Sequence, residues 1–193
     1  MEIDLIEKLH ELVRESKLDE AINVAEVELV KLPVTDFHKI IGRTLLHLPG
    51  ALTSFIDKFC REAKKETEVK AIYAEMNGFT INYGLWFINL FAFNQCGGLD
   101  DLDWLSDFET ASDKVMVISG FEDLQAVYKD YMENEKWEDS ELAKACEICE
   151  HLIILRLQQL FREAKKLAIL KNLRWKNMPV FATAHDYDMV YMA

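Results

Sequence analysis

Glycine and proline are scarce in this chain, at seven and three among 193 residues. So few breakers leave little room for linkers or low-complexity stretches, and an apolar fraction of 50% is enough to build a core. Long apolar runs are missing as well. The run from Leu85 to Phe93 spans nine residues and contains Asn89, whereas a membrane-crossing helix needs about 20 apolar residues. The opening segment MEIDLIEKLHELVRES is acidic and amphipathic, which does not read as a secretory signal with its basic start and apolar run. Four cysteines are too few for the disulfide framework of a small secreted domain. Reduced thiols in a cytoplasm are the expectation. No Walker loop, no G-x-G-x-x-G and no H-E-x-x-H occurs, so no cofactor is expected.

Positive charge is also in short supply, with 22 Lys and Arg against 34 Asp and Glu, a net of −12. The deficit is local. Residues 1–99 carry a net of −4, residues 100–150 a net of −12 (4 basic, 16 acidic), and residues 151–193 a net of +4. Phosphate recognition depends on clustered Lys and Arg, so nucleic acid is disfavoured as a partner. A basic protein is favoured, because an acidic field accelerates its approach. An acidic surface also serves solubility by itself.

The patterning predicts a single domain over 1–193, with a helical layer over 1–66 and a sheet with further helices over 67–193. The fold class is α+β and helix-rich. Four N-terminal helices are expected. Ile3, Ile6, Leu9 and Val13 recur at helical spacing in the first, and Leu18, Ile22, Ala25, Leu29 and Leu32 in the second, with Ser16 and Asp19 as a capping start and Pro33 as the stop. A third helix is read from Asp36 to Leu48, stopped by Pro49-Gly50, and a fourth over Leu52 to Ala63. Residues 18–33 resemble the second helix of a tetratricopeptide unit, but no matching unit recurs about 34 residues away, so a helical hairpin suffices.

A small central antiparallel sheet is expected over about residues 69–93, 115–118 and 180–192. Asn77-Gly78, between the β-branched and aromatic runs VKAIYAEM and FTINY, signals a tight type I′ hairpin. Ser119-Gly120-Phe121-Glu122 fits a capping box before a helix reaching Asn134. A long helix then starts near Asp139 or Ser140, with Leu142, Cys146, Cys149, Ile153, Leu157, Leu160, Ala164 and Leu167 on one seam.

Cys146-x-x-Cys149 lies on that apolar seam, where cysteine acts as a small hydrophobe, and a zinc site would need further ligands; no metal site is expected. The best catalytic candidates are His185, Asp186 and Asp188, since a histidine beside a carboxylate can act as a general base, near Glu75 or Asn82. No nucleophile in a strained elbow accompanies them. A different chemistry is carried by Asp100, Asp101, Asp103, Trp104 and Asp107, and by Glu133, Glu135, Trp137, Glu138 and Asp139. Aromatic rings among carboxylates suit an interface for a basic protein, with the rings as anchors and the carboxylates as partners for Arg and Lys. The opposite expectation for Trp104, between Leu102 and Leu105, is that it turns inward.

The profile of a small, acidic, aromatic-rich chain without catalytic motifs is similar to that of a bacterial immunity protein or antitoxin facing a nuclease-type toxin. That similarity is one of profile and predicts one exposed acidic face over residues 100–150. A small hydrolase or metal-dependent enzyme using His185, Asp186 and Asp188 is the alternative. So is a helical adaptor working through an apolar groove between the N-terminal helices.

Overall fold

A computed structural model describes residues 4–193. Ile3, read above as part of the first stripe, lies outside the described residues. Helix α1 (Leu5–Arg14) buries Leu9, Leu12 and Val13, and α2 (Leu18–Val30) buries Leu18, Ala21, Ile22, Ala25 and Leu29. The start of α2 is not capped by Ser16. Ser16 takes a left-handed φ of 59° in the turn that ends α1, Lys17 sits at the cap without a side-chain bond, and Asp19 is engaged by Arg162.

The third predicted helix shortens to a single 3₁₀ segment, Asp36–Ile40. Phe37 anchors it edge-on against Tyr128 and Tyr131 at 5.2 and 5.4 Å. Gly42 then adopts φ 71° and donates its N–H to Glu26, which turns the backbone out of the helix. Pro49 starts α3 (Pro49–Ala63) instead of stopping a helix. A proline costs nothing in the first turn, where its missing N–H would have no helical partner.

The sheet has the order β3-β2-β1-β5-β6, with β4 also pairing β2. Its strands are β1 (Ala71–Met76), β2 (Phe87–Phe93), β3 (Thr110–Ala111), β4 (Met116–Val117), β5 (Val180–Ala184) and β6 (Tyr191–Met192). All pairings are antiparallel except β1 with β5, in register from Ile72↔Val180 to Met76↔Ala184, so the sheet is mixed. β1 and β2 do form a hairpin, but not through a tight Asn-Gly turn. The connection is a ten-residue loop, 77–86, held at its base by Asn77, whose Nδ2 donates to Leu85 O at 2.8 Å and whose Oδ1 accepts from Phe87 N–H at 2.7 Å. The asparagine side chain thus takes the place of a ladder rung.

Helix α4 (Glu122–Glu133) starts two residues later than the expected capping box would place it, with Phe121 at the cap and no side-chain cap bond. Glu122 accepts from Gly120 N–H at 2.9 Å, while Ser119 Oγ lies beside His47. Glu135, at φ 52°, and the 3₁₀ segment Lys136–Glu138 lead into α5 (Ser140–Leu170). Asp139 caps α5 by accepting from Glu141 and Leu142 N–H. In its middle α5 is buried all round, from His151 to Phe161, beyond the single seam that the sequence spacing implied. It packs against α2, α3 and β5, while a pocket of about 550 Å³, lined by Leu5, Val24, Leu32 and Ile148 together with Asp4, Glu28 and three lysines, stays open between α1, α2 and α5.

Alternation divides the sheet into two faces. Ile72, Ala74, Met76, Ile88, Leu90, Val180 and Ala182 join the helices in the main core, where each large aliphatic side chain contributes about 1.5–3 kcal/mol. Ala71, Tyr73, Phe93, Phe181 and Val190 face the other way and are roofed by Trp104 with Leu99, Leu102 and Leu105.

Candidate functional site

The two parallel strands lie at the centre of the sheet and end side by side, at Met76 and Ala184. His185 N–H donates to Met76 O at 2.8 Å, which ties the two ends together. Asp186, at φ 65°, turns the chain sharply, and Thr183 Oγ donates to Tyr187 O at 3.2 Å to close the turn. The turn sends Tyr187 back over the first half of α5. There its hydroxyl donates to Glu150 Oε2 at 2.6 Å, and its ring meets Phe79 and His151 edge-on. Clefts beyond the carboxyl ends of adjacent parallel strands are recurrent ligand sites.

Such a cleft is present. A pocket of about 400 Å³ is bounded by the 78–81 loop, by Tyr131, Met132 and Trp137, by Cys146, Glu147 and Glu150 of α5, and by the turn 185–187. Phe79 and Tyr131 are buried parts of its wall, whereas Trp137 is 45% exposed and stands 6.5 Å from the Tyr131 ring. No Lys or Arg among the described residues lines it; its charged groups are Glu147, Glu150 and Asp186, with His185 beside them.

Glu150 occupies the deep side. Burial pushes its carboxyl up to about 7, opposed by the hydrogen bonds from Tyr187 and from the Cys146 thiol. Burial also pushes Tyr187 and Cys146 up, so both remain protonated donors to Glu150. Burial lowers His151, whose Nδ1 lies 2.8 Å from Glu147 O and which stays neutral in the core. At the rim, His185 Nδ1 meets Glu75 Oε1 at 3.0 Å, and Tyr73 Oη donates to the other Glu75 oxygen at 3.0 Å. Asp186 Oδ1 is 3.5 Å from His185 Nε2.

Of the sequence-derived catalytic trio, His185 and Asp186 therefore line the pocket, and His185 bonds Glu75, which lies on the Tyr73 face of the sheet and is not part of the lining. Asp188 does not join them: it is exposed and its charge acts on His10 of α1. Among the described residues no group of three or more His, Cys, Asp or Glu is placed to hold a metal ion. Cys60, Cys146 and Cys149 are buried, and burial lifts Cys60 and Cys149 to about 12, while Cys96 is exposed.

The two acidic segments separate. Asp100, Asp101, Asp103 and Asp107 are exposed on the sheet face away from α5. Trp104 among them turns inward, at 9% exposure, edge-on to Phe93 and Phe181 at 4.8 and 5.1 Å, with its Nε1 donating to Gly98 O. It is a core anchor and not an open interface ring. Glu133, Glu135, Trp137, Glu138 and Asp139 are exposed at the junction of α4 and α5, where Trp137 borders the pocket, although Asp139 is committed to capping α5. Residues 100–150 thus do not make one continuous acidic face.

Glu150, Tyr187 and Cys146 were absent from the sequence-derived site. A signal for Glu150 existed: it falls four residues after Cys146, on the inward side of α5, where a carboxylate is out of place unless it does something. No helix among the described residues is long and apolar enough to cross a membrane. No protein family, no curated protein and no solved structure matches this chain.

Proposed function

We propose that this protein is a non-catalytic binding protein for a basic protein partner, in the way an immunity protein or antitoxin holds a nuclease-type toxin. The observation that carries the reading is the pocket beyond β1 and β5: concave, walled by aromatic rings, holding three carboxyl groups and no Lys or Arg among the described residues. Glu133, Glu135 and Glu138 border its Trp137 side and add to the attraction of a basic surface. Asp100, Asp101, Asp103 and Asp107, on the other sheet face, supply long-range attraction and no contact at the pocket.

The test is a titration with a nine-residue arginine peptide. Generic attraction to a chain of net charge −12 is controlled by two variants. The change of Glu147 and Glu150 to Gln is expected to weaken binding at least about tenfold, as loss of paired charges in a partly buried site does. The change of Asp100, Asp101 and Asp103 to Asn removes more charge and is expected to weaken it less than about threefold at physiological salt, where the Debye length is about 8 Å. Equal weakening by the two variants would reduce the reading to non-specific attraction.

A second reading is favoured by His185, held by its hydrogen bond to Glu75, lining the same pocket as Glu150, a carboxyl whose proton burial holds to about pH 7. It casts the pocket as the active site of a small hydrolase, with His185 as base. Turnover of a chromogenic ester or phosphoester panel that His185→Ala abolishes would favour this reading over the first.

A further inference from the structure

We infer that the pocket receives the guanidinium of a partner arginine, and that entry of this cation displaces a proton from Glu150. The inference rests on the binding reading and names the group that the basic partner inserts. Two features of the geometry select a guanidinium. Trp137, 45% exposed and edge-on to Tyr131 at 6.5 Å, offers indole surface at the pocket, on which a planar delocalised cation can lie flat while an ammonium makes only a point contact. Glu147 and Glu150 stand three residues apart on α5, one turn of the same helix, and Asp186 of the turn after β5 lines the same pocket. Carboxylates contributed by two separate elements suit the several N–H donors that a guanidinium presents in fixed directions.

The proton link follows from what already surrounds Glu150. Its two oxygens accept from Tyr187 and from Cys146. Among the described residues no Lys or Arg of the pocket lining compensates it, and burial holds its proton to about pH 7. The ionisable groups around it are Cys146, Glu147, Cys149 (lifted by burial to about 12) and His151 on α5, Tyr128 and Tyr131 on α4, and Tyr187 with His185 and Asp186 on the turn after β5. The 78–81 loop contributes none. Burial keeps the tyrosines and Cys146 protonated and His151 neutral across the neutral range. His185 also lines the pocket, and its own partner is Glu75. An entering guanidinium favours the ionised carboxylate, so Glu150 gives up its proton to solvent as the cation binds.

The experiment uses N-acetyl-arginine methylamide, with the neutral isostere N-acetyl-citrulline methylamide and N-acetyl-lysine methylamide as comparisons. Trp137 fluorescence is the readout, because Trp86, Trp104 and Trp175 are buried. The arginine amide is expected to bind about tenfold more tightly at pH 8 than at pH 6, following a carboxyl that ionises near 7, and to release about half a proton at pH 7. Calorimetry in two buffers of different ionisation enthalpy reads that release. Glu150→Gln keeps the shape and the Tyr187 hydrogen bond, and is expected to bind weakly with no change between pH 6 and pH 8.

Equal binding of the citrulline or the lysine amide overturns the guanidinium assignment. A flat pH response of the wild-type chain, or a slope that survives in Glu150→Gln, overturns the proton link. If the arginine nonapeptide binds at the Glu147 and Glu150 face while the amide does not bind, this inference fails and the binding reading stands. If neither binds, both fail.

Discussion

Replacing Glu150 by Gln is predicted to stabilise the protein, and to do so only at neutral and alkaline pH. A glutamate ordinarily ionises near 4.5, and burial behind Tyr187 and Cys146 holds the Glu150 proton to about 7. At about 1.36 kcal/mol per tenfold, that difference is worth about 3 kcal/mol, reduced to about 2 kcal/mol for the part of the side chain that still meets water. Between these two pH values the folded chain binds more proton than the unfolded chain, so stability falls as pH rises through the window. Below it both states are protonated and the penalty is absent; above about 7 it is fully developed. Glutamine escapes the penalty. Its carbonyl still accepts from Tyr187, while its amide faces the Cys146 sulfur, a weak acceptor, at a pH-independent cost of about 1 kcal/mol. The change in the gap between variant and wild type from pH 5 to pH 8 is therefore the quantity to measure, and it is predicted to be about 2 kcal/mol in favour of Gln. Urea unfolding at the two pH values reads it directly, and the difference in melting temperature between variant and wild type should change by about 4–8 °C between pH 5 and pH 8. A gap independent of pH, or a variant less stable at pH 8 than at pH 5 relative to wild type, would refute the burial of this carboxyl.

Three further outcomes follow from the packing. Gly97→Ala is predicted to destabilise by about 1–3 kcal/mol, because a methyl there would stand 2.3 Å from Trp104 Cδ1, and near-ultraviolet circular dichroism of the indole should weaken with it. Arg156→Ala, which leaves Glu26 without its 2.7 Å partner in a partly buried position, is predicted to cost about 2–4 kcal/mol in urea unfolding, and Arg156→Met combined with Glu26→Gln much less. A thiol reagent should modify one cysteine quickly in the native protein, Cys96, and all four only after denaturation; fast native reaction of Cys146 would contradict its burial in the pocket wall.

The elements that could be read from the sequence are those whose local signal and tertiary role agree. Asp139 ahead of a long apolar seam marks the start of α5, VFATA after Pro179 becomes β5, and the mixed α+β class follows from the change of period at Val69. The failures have equally local causes. Phe37 docking on Tyr128 and Tyr131 cuts the third helix short, Pro49 opens a helix where it was expected to end one, and Asn77 uses its side chain in place of the turn that Asn-Gly advertises. The site was half visible. His185, Asp186 and Trp137 carry recognisable chemistry in sequence, but the parallel pairing that sets residue 185 beside Met76, and the turn that returns Tyr187 to Glu150, are long-range events. Acidic residues contiguous in sequence also read as one face, whereas Trp104 pins the first group to the sheet side opposite the second.

Amide chemical-shift mapping of the isotope-labelled protein with the arginine nonapeptide tests the binding account most directly. The account predicts that the largest shifts fall in the 78–81 loop, at Trp137, along α5 from Ala143 to Glu150, and in the 185–187 turn. Shifts centred on residues 100–107, or spread evenly over the acidic surface with those segments unmoved, would contradict it.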